Sequence, residues 1–206
     1  ALTQDHILST WAGVRPVIGA ENSKNPSKER RDHAVWTDKG LVTVSGGKLT
    51  TFRLIALDAL AAAERNLPSP KEFIDDSMFP TPSLSSDSLL PENTSLAQRL
   101  LGRYGEKAKI LLETSTANER LTIGETEFSM AECRWAIRNE AVEHLDDLLL
   151  RRTRLGMCLP NGGDSLFPVL KALFFSERNW DDELWQKELD RYKAIWQRHY
   201  SLPQKS

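Results

Sequence analysis

Residues Val44-Ser45-Gly46-Gly47-Lys48-Leu49-Thr50-Thr51-Phe52 combine residue types that can do chemistry at close spacing. A short apolar strand runs into a glycine turn, then a lysine, then two hydroxyls that open a helix. A glycine pair lets the backbone approach a ligand with no Cβ in the way. A helix start offers unpaired N–H groups and a partial positive charge, and Lys48 adds a mobile full charge beside them. The pattern predicts an anion or cofactor contact at a strand-to-helix turn. A purely structural turn fits the local sequence equally well, because glycine-rich turns of this kind are common. Arg15 is the second candidate, an isolated cation in an apolar stretch. It reads either as a snorkelling side chain or as a planar fork aimed at a phosphate or carboxylate.

The 206 residues suffice for one large or two small domains, and 27 basic against 29 acidic residues argue against a general nucleic-acid surface. No run of about 18 apolar residues occurs, so no segment is expected to span a membrane. Cys133 and Cys158 form no C-x-x-C pair, which predicts a reducing compartment and no disulfide framework. His6, His33, His144 and His199 are scattered without zinc spacing, so no metal site is expected. The start, Ala1-Leu2-Thr3-Gln4-Asp5, reads as neither signal peptide nor initiator methionine but as a position inside a longer protein.

Residues 5–18 are rich in β-branched and aromatic types and predict a strand interrupted at Gly13, with Pro16 at an edge or end. A polar loop, 19–32, follows. His33–Trp36 and Leu41–Val44, separated by Asp38-Lys39-Gly40, predict a hairpin. A helix from about Thr50 to Asn66 carries Phe52, Ile55, Ala56, Ala59, Leu60 and Ala63 as an apolar stripe. Residues 67–93 hold five of the ten prolines and many serines, which marks a linker and a candidate domain boundary.

Beyond the linker the pattern is helical. Asn93 or Thr94 can cap a helix through Tyr104, and a short helix is expected near Lys107–Glu113. Ser129-Met130-Ala131-Glu132 is a capping box that opens a pattern through Cys133, Ile137, Ala141, Leu145 and Leu148. Asp146-Asp147 can start a further helix that stops at Gly156, with Arg151, Arg152 and Arg154 favourably placed near its end. Trp185, Leu189, Tyr192 and Trp196 make a last stripe of core type. Cys133 lies on an apolar stripe with no neighbouring histidine and reads as a buried structural thiol.

Taken as a set, several of these segments resemble the carboxyl-terminal part of FAD-dependent glycerol-3-phosphate dehydrogenases of the aerobic type. They are Trp11-Ala12-Gly13-Val14-Arg15-Pro16, Arg31-Asp32-His33 and Ser45-Gly46-Gly47-Lys48-Leu49-Thr50-Thr51-Phe52-Arg53, then Trp135-Ala136-Ile137-Arg138-Asn139-Glu140-Ala141 and Leu149-Leu150-Arg151-Arg152-Thr153-Arg154-Leu155-Gly156. The resemblance implies an α+β chain. Residues 1–66 would be a strand/helix remnant of an FAD-dependent oxidoreductase domain, 67–93 the linker and 94–206 an all-helical carboxyl-terminal domain. It implies that Arg15, Arg31 and Lys48 converge on the phosphate of glycerol 3-phosphate, and that Gly46, Gly47, Lys48, Leu49 and Thr50 lie against the flavin. The whole enzyme would pass a hydride from substrate C2 to FAD, and the electrons to quinone, at a peripheral site on the cytoplasmic face of the inner membrane.

No G-x-G-x-x-G follows a strand here. In the family that fingerprint lies in an amino-terminal FAD domain, so the chain is expected to be inactive alone. Two unclustered cysteines cannot supply the iron–sulfur region of the anaerobic relatives. Two other readings remain: a helical interaction or scaffold domain, and a glycerol-3-phosphate oxidase or another FAD-dependent oxidase. An exposed sheet edge could drive homo-oligomer formation.

Overall fold

A computed structural model describes residues 3, 6–14, 32–64, 83–90 and 93–202. Arg15, Arg31, the loop around 19–31, and most of the proline-rich stretch lie outside the described residues. The chain divides into two units, one of residues 13–78 and one of residues 1–12 with 79–206. Helices dominate the described residues and a two-stranded sheet accompanies them, an α+β composition.

The smaller unit is a hairpin and a helix. Strands β1 (His33–Asp38) and β2 (Leu41–Gly46) pair antiparallel from His33 opposite Gly46 to Asp38 opposite Leu41. Only Lys39 and Gly40 form the turn, both at positive φ (48° and 85°), as a two-residue hairpin with right-handed strand twist requires. The strands are each two residues longer than the apolar runs suggested. Helix α1 (Phe52–Ala63) follows a 3-10 turn at Leu49–Thr51 and packs on both strands. No α1 residue is fully buried. Ile55, Ala59, Ala62 and Ala63 are half-buried, whereas Phe52, Ala56 and Leu60 of the expected stripe are exposed. A two-stranded hairpin is narrow and covers only one stripe of a helix that is apolar on more than one face.

Residues 7–14 form no strand, contrary to the expectation from their composition. β-branched residues favour a strand only where a ladder partner exists. Here the backbone partner is instead the end of a helix: the Thr10 N–H donates to the Tyr200 carbonyl at 2.8 Å.

The helical unit has two apolar clusters. Residues 83–90, at the carboxyl-terminal end of the proline-rich stretch, hold the short helix α2 (Ser86–Leu89), capped by Ser85. Helix α3 (Thr94–Tyr104) is capped by Asn93, whose Oδ1 accepts from Leu96 N–H at 3.0 Å, and α4 (Lys107–Glu113) follows. Leu90, Leu96, Leu100 and Leu111 pack with Ala131 in the first cluster.

Helix α5 (Met130–Asn139) opens on the expected Ser129/Glu132 capping box. Glu132 is fully buried and also accepts from Arg99 at 2.7 Å and from the Tyr104 hydroxyl at 3.2 Å. The pattern expected to run on to Leu148 breaks after Asn139, and Ala141 sits at positive φ (51°). Asp147–Arg152 form a π-helical turn, followed by a break at Arg154 (φ 57°) and the short helix α6 (Leu155–Cys158). Gly156 therefore does not stop a helix; it lies inside one. A Cβ there would come within 2.2 Å of the Tyr192 hydroxyl oxygen, so glycine admits α8.

Helix α7 (Phe167–Arg178) falls in a stretch the sequence left unassigned, and α8 (Asp182–His199) is capped by Asp181. Trp185, Leu189 and Tyr192 of α8 are buried in the second cluster, with Phe174 stacked on Trp180 at 4.2 Å between ring centroids. The Tyr192 hydroxyl donates to the Gly162 carbonyl at 2.6 Å and Trp196 Nε1 donates to the Gly156 carbonyl at 2.7 Å. Cys133 is wholly buried, and desolvation pushes its thiol up to about 12, as an inert structural thiol requires.

Ion pairs lace these helices together. Glu177 on α7 binds Arg138 and Arg134 of α5, and Arg134 Nε also donates to Glu119 at 2.8 Å. The hydrogen bonds and charges of Arg138 and Arg134 hold the Glu177 carboxyl below its usual range. Burial pushes Glu119 and Asp146 up, but hydrogen bonds and their arginine partners outweigh this and hold both low. A depressed folded-state pKa stabilises above the ordinary carboxylate range, about 4, and that stability is lost as pH falls through the folded value. Thermal unfolding followed by circular dichroism should give a midpoint that is level above about pH 5 and falls below about pH 4. Glu177→Gln should flatten the fall; an unchanged midpoint from pH 5 to pH 3 would contradict the assignment.

Candidate anion-binding turn

The candidate site is the connection between β2 and α1. Gly46 and Gly47 take φ values of 78° and 88°. They turn the chain from the ladder, where Gly46 faces His33, into the 3-10 turn. Gly47 also has a packing reason: a Cβ there would come within 2.4 Å of Ile55 Cδ1 and 3.3 Å of His33 Cβ. Packing against Ile55 and His33 thus accounts for the glycine at position 47, in line with the structural reading of the turn.

Lys48 is extended (φ −125°, ψ 151°) and its backbone is tied to Thr51: the Lys48 N–H donates to Thr51 Oγ1 at 3.3 Å, and Thr51 Oγ1 donates to the Lys48 carbonyl at 3.0 Å. The Lys48 side chain is exposed and has no ion-pair partner among the described residues. Leu49 is 89% exposed and Thr50 is exposed too. The turn therefore presents a mobile cation and a backbone corner to the outside, a surface suited to an anion or to the edge of a flat polar ligand.

Gly46, Gly47, Lys48, Leu49 and Thr50 are thus contiguous in one exposed turn. Arg15 and Arg31 fall outside the described residues, so their convergence with Lys48 is not part of the observed geometry. One pair escaped the sequence reading. His33 Nε2 lies 2.6 Å from Asp58 Oδ2 of α1 and clips β1 to the helix beside the turn. No local motif announces a contact across 25 residues.

In the helical unit, a groove of about 370 Å³ between α4 and α5 is lined by Ile110, Trp135, Lys107, Arg134 and Arg138. Two of its three cations are already paired with Glu119 and Glu177. Arg151 pairs with Asp146, and Arg103 donates to the Arg152 carbonyl. Among the described residues no group of three or more His, Cys, Asp or Glu could hold a metal ion. No described helix is long and apolar enough to cross a membrane.

The chain belongs to the family described as the C-terminal domain of alpha-glycerophosphate oxidase, which matches residues 81–184. Among its relatives, the mitochondrial glycerol-3-phosphate dehydrogenase of Macaca fascicularis is 28% identical over 206 aligned residues, covering 92% of this chain and 28% of the relative. The human mitochondrial enzyme is 28% identical over 89% of this chain. Glycerol-3-phosphate dehydrogenase 1 of Mycobacterium bovis is 32% identical, covering 80% of this chain and 33% of the relative. The chain spans between 28% and 33% of the length of these relatives.

Proposed function

We propose that this chain works as the carboxyl-terminal part of a longer flavoprotein that oxidises sn-glycerol 3-phosphate to dihydroxyacetone phosphate. Residues 1–66 would complete one wall of its FAD and substrate domain, 67–93 would link, and 94–206 would form the helical domain. The observation that carries the reading is the exposed Gly46-Gly47-Lys48 turn in a chain whose relatives are named glycerol-3-phosphate dehydrogenases.

The residues present fit FAD as one wall only. Gly46 and Gly47 carry no side chain and Lys48, Leu49 and Thr50 are exposed, which suits close approach of a flat, electron-accepting ring. When bound, FAD would supply the acceptor for the hydride leaving substrate C2. The cradle for its pyrophosphate would come from a G-x-G-x-x-G region that this chain does not hold. Lys48, together with Arg15 and Arg31, would hold the dianionic phosphate with two planar forks and a point charge. That contact fixes C2 relative to the ring, and orientation of this kind is itself a large part of a rate enhancement. The chain alone would neither retain flavin nor turn over.

Electrons would go on to a membrane quinone, with the protein peripheral on the cytoplasmic face of the inner membrane. A second reading has support in the family description, which names an oxidase: oxygen would then be the acceptor, and hydrogen peroxide would accumulate in stoichiometric amount. The test is oxidation of glycerol 3-phosphate by the longer protein with an artificial acceptor and added FAD, beside the 206-residue chain. Activity in the longer protein alone supports the proposal. Stoichiometric bound flavin in the 206-residue chain would contradict the one-wall reading.

A further inference from the structure

Two consecutive glycines do not hold a turn in one shape by themselves. Gly46 and Gly47 both sit at positive φ, and glycine adopts either sign of φ with little preference. The hydrogen bonds between Lys48 and Thr51 fix the chain only beyond the glycines. Where Lys48 stands relative to the hairpin therefore depends on contacts that bridge the pair. His33 makes such contacts. It stands opposite Gly46 in the ladder, and its Cβ lies 3.3 Å from where a Cβ on Gly47 would be. Its Nε2 lies 2.6 Å from Asp58 Oδ2 on α1. Ile55, three residues before Asp58 and so on the same face of α1, lies against Gly47. His33 and Asp58 thus join the hairpin on one side of the glycines to the helix on the other. All of these residues belong to the smaller unit.

We propose that His33 and Asp58 are positioning residues for Lys48, holding the angle between hairpin and α1 at which the turn meets its anion. This rests on the reading of Lys48 as a phosphate ligand. Neither side chain has to touch the substrate. The Asp58 carboxylate is 60% exposed, and a pair so open to water adds little to global stability. Its effect falls on the local geometry instead. A turn freed from the pair must be ordered again each time a ligand binds. That cost weakens substrate binding more than it slows the chemical step.

The test uses the flavin-loaded full-length enzyme. D58A removes the carboxylate and puts a strong helix former at an exposed helix position, so it should not lower the melting temperature. H33L removes the imidazole and keeps an apolar side chain of similar bulk. Each should raise KM for glycerol 3-phosphate about fivefold, with a smaller change in kcat. The H33L/D58A double variant should raise KM no further than the larger single, since either change breaks the same contact. Amide hydrogen exchange in the substrate-free enzyme should quicken at residues 46–51 and not at residues 57–63. H33Q, which can still donate to Asp58, should recover part of the affinity. K48A separates the two ideas. If K48A raises KM and D58A does not, the positioning role is refuted and the phosphate reading stands. If K48A leaves KM unchanged, both fail. Single effects that multiply in the double variant, or exchange that quickens along all of α1, would also overturn the proposal. Should H33L not fold, D58A decides alone by the same KM and exchange readouts.

Discussion

Replacing Arg151 and Arg191 together by methionine is expected to destabilise the helical unit by about 3–5 kcal/mol, the cost of leaving a buried charge without its partners. The Asp146 side chain is only 2% exposed, and both arginines bind it, one from the π-helical turn and one from α8. The arginines themselves are 56% and 39% exposed. That asymmetry decides the outcome. Without Asp146 the arginines swing into water, so Asp146→Asn should cost only about 1–2 kcal/mol. Without the arginines Asp146 cannot reach water, and each single replacement, which leaves one partner, should cost about 1–2 kcal/mol. The double replacement should therefore exceed the sum of the singles. Urea unfolding followed at a helix band measures all four proteins. An additive double variant, or one within about 1 kcal/mol of the parent, would show that water reaches Asp146.

Lys48→Ala in the longer protein is expected to raise KM for glycerol 3-phosphate about 10- to 100-fold, the loss of one charge-assisted contact to phosphate. The melting temperature should not move, because the exposed Lys48 side chain has no ion-pair partner among the described residues. Lys48→Arg should recover part of the affinity. Arg15→Ala and Arg31→Ala should act in the same direction, each weakening substrate binding. Gly47→Ala should behave differently: it drives a Cβ into Ile55 and should lower stability whether or not substrate is present. Steady-state kinetics with thermal melting separates the two behaviours. Unchanged KM in Lys48→Ala would remove the turn from the substrate site.

The features legible in the sequence were those whose causes are local. The hairpin is set by Asp38-Lys39-Gly40, where two positive φ values satisfy strand twist. The Ser129/Glu132 box and the Trp185–Trp196 stripe carry their own periodicity. Readings failed where a distant partner decides. Ile7–Val14 has strand composition, but its hydrogen bonds go to the ends of α6 and α8. Gly156 looks like a stop signal, yet its small size serves a Tyr192 hydroxyl 36 residues away in sequence. Helix α7 starts at Phe167-Pro168 without a polar cap, so only the proline in its first turn marks its start. The glycine–lysine turn could be read from its residue types. The His33–Asp58 clip beside it could not, because the contact exists only once α1 folds back on β1.

Anaerobic titration of the full-length flavoprotein with glycerol 3-phosphate, followed by visible absorbance, tests the assignment most directly. Bleaching of the bound flavin by one equivalent of glycerol 3-phosphate, with no bleaching by glycerol or by a 2-hydroxy acid at the same concentration, is the predicted result. Bleaching by a hydroxy acid or amine while glycerol 3-phosphate leaves the flavin oxidised would contradict it, and would give Arg15, Arg31 and Lys48 to a carboxylate instead of a phosphate.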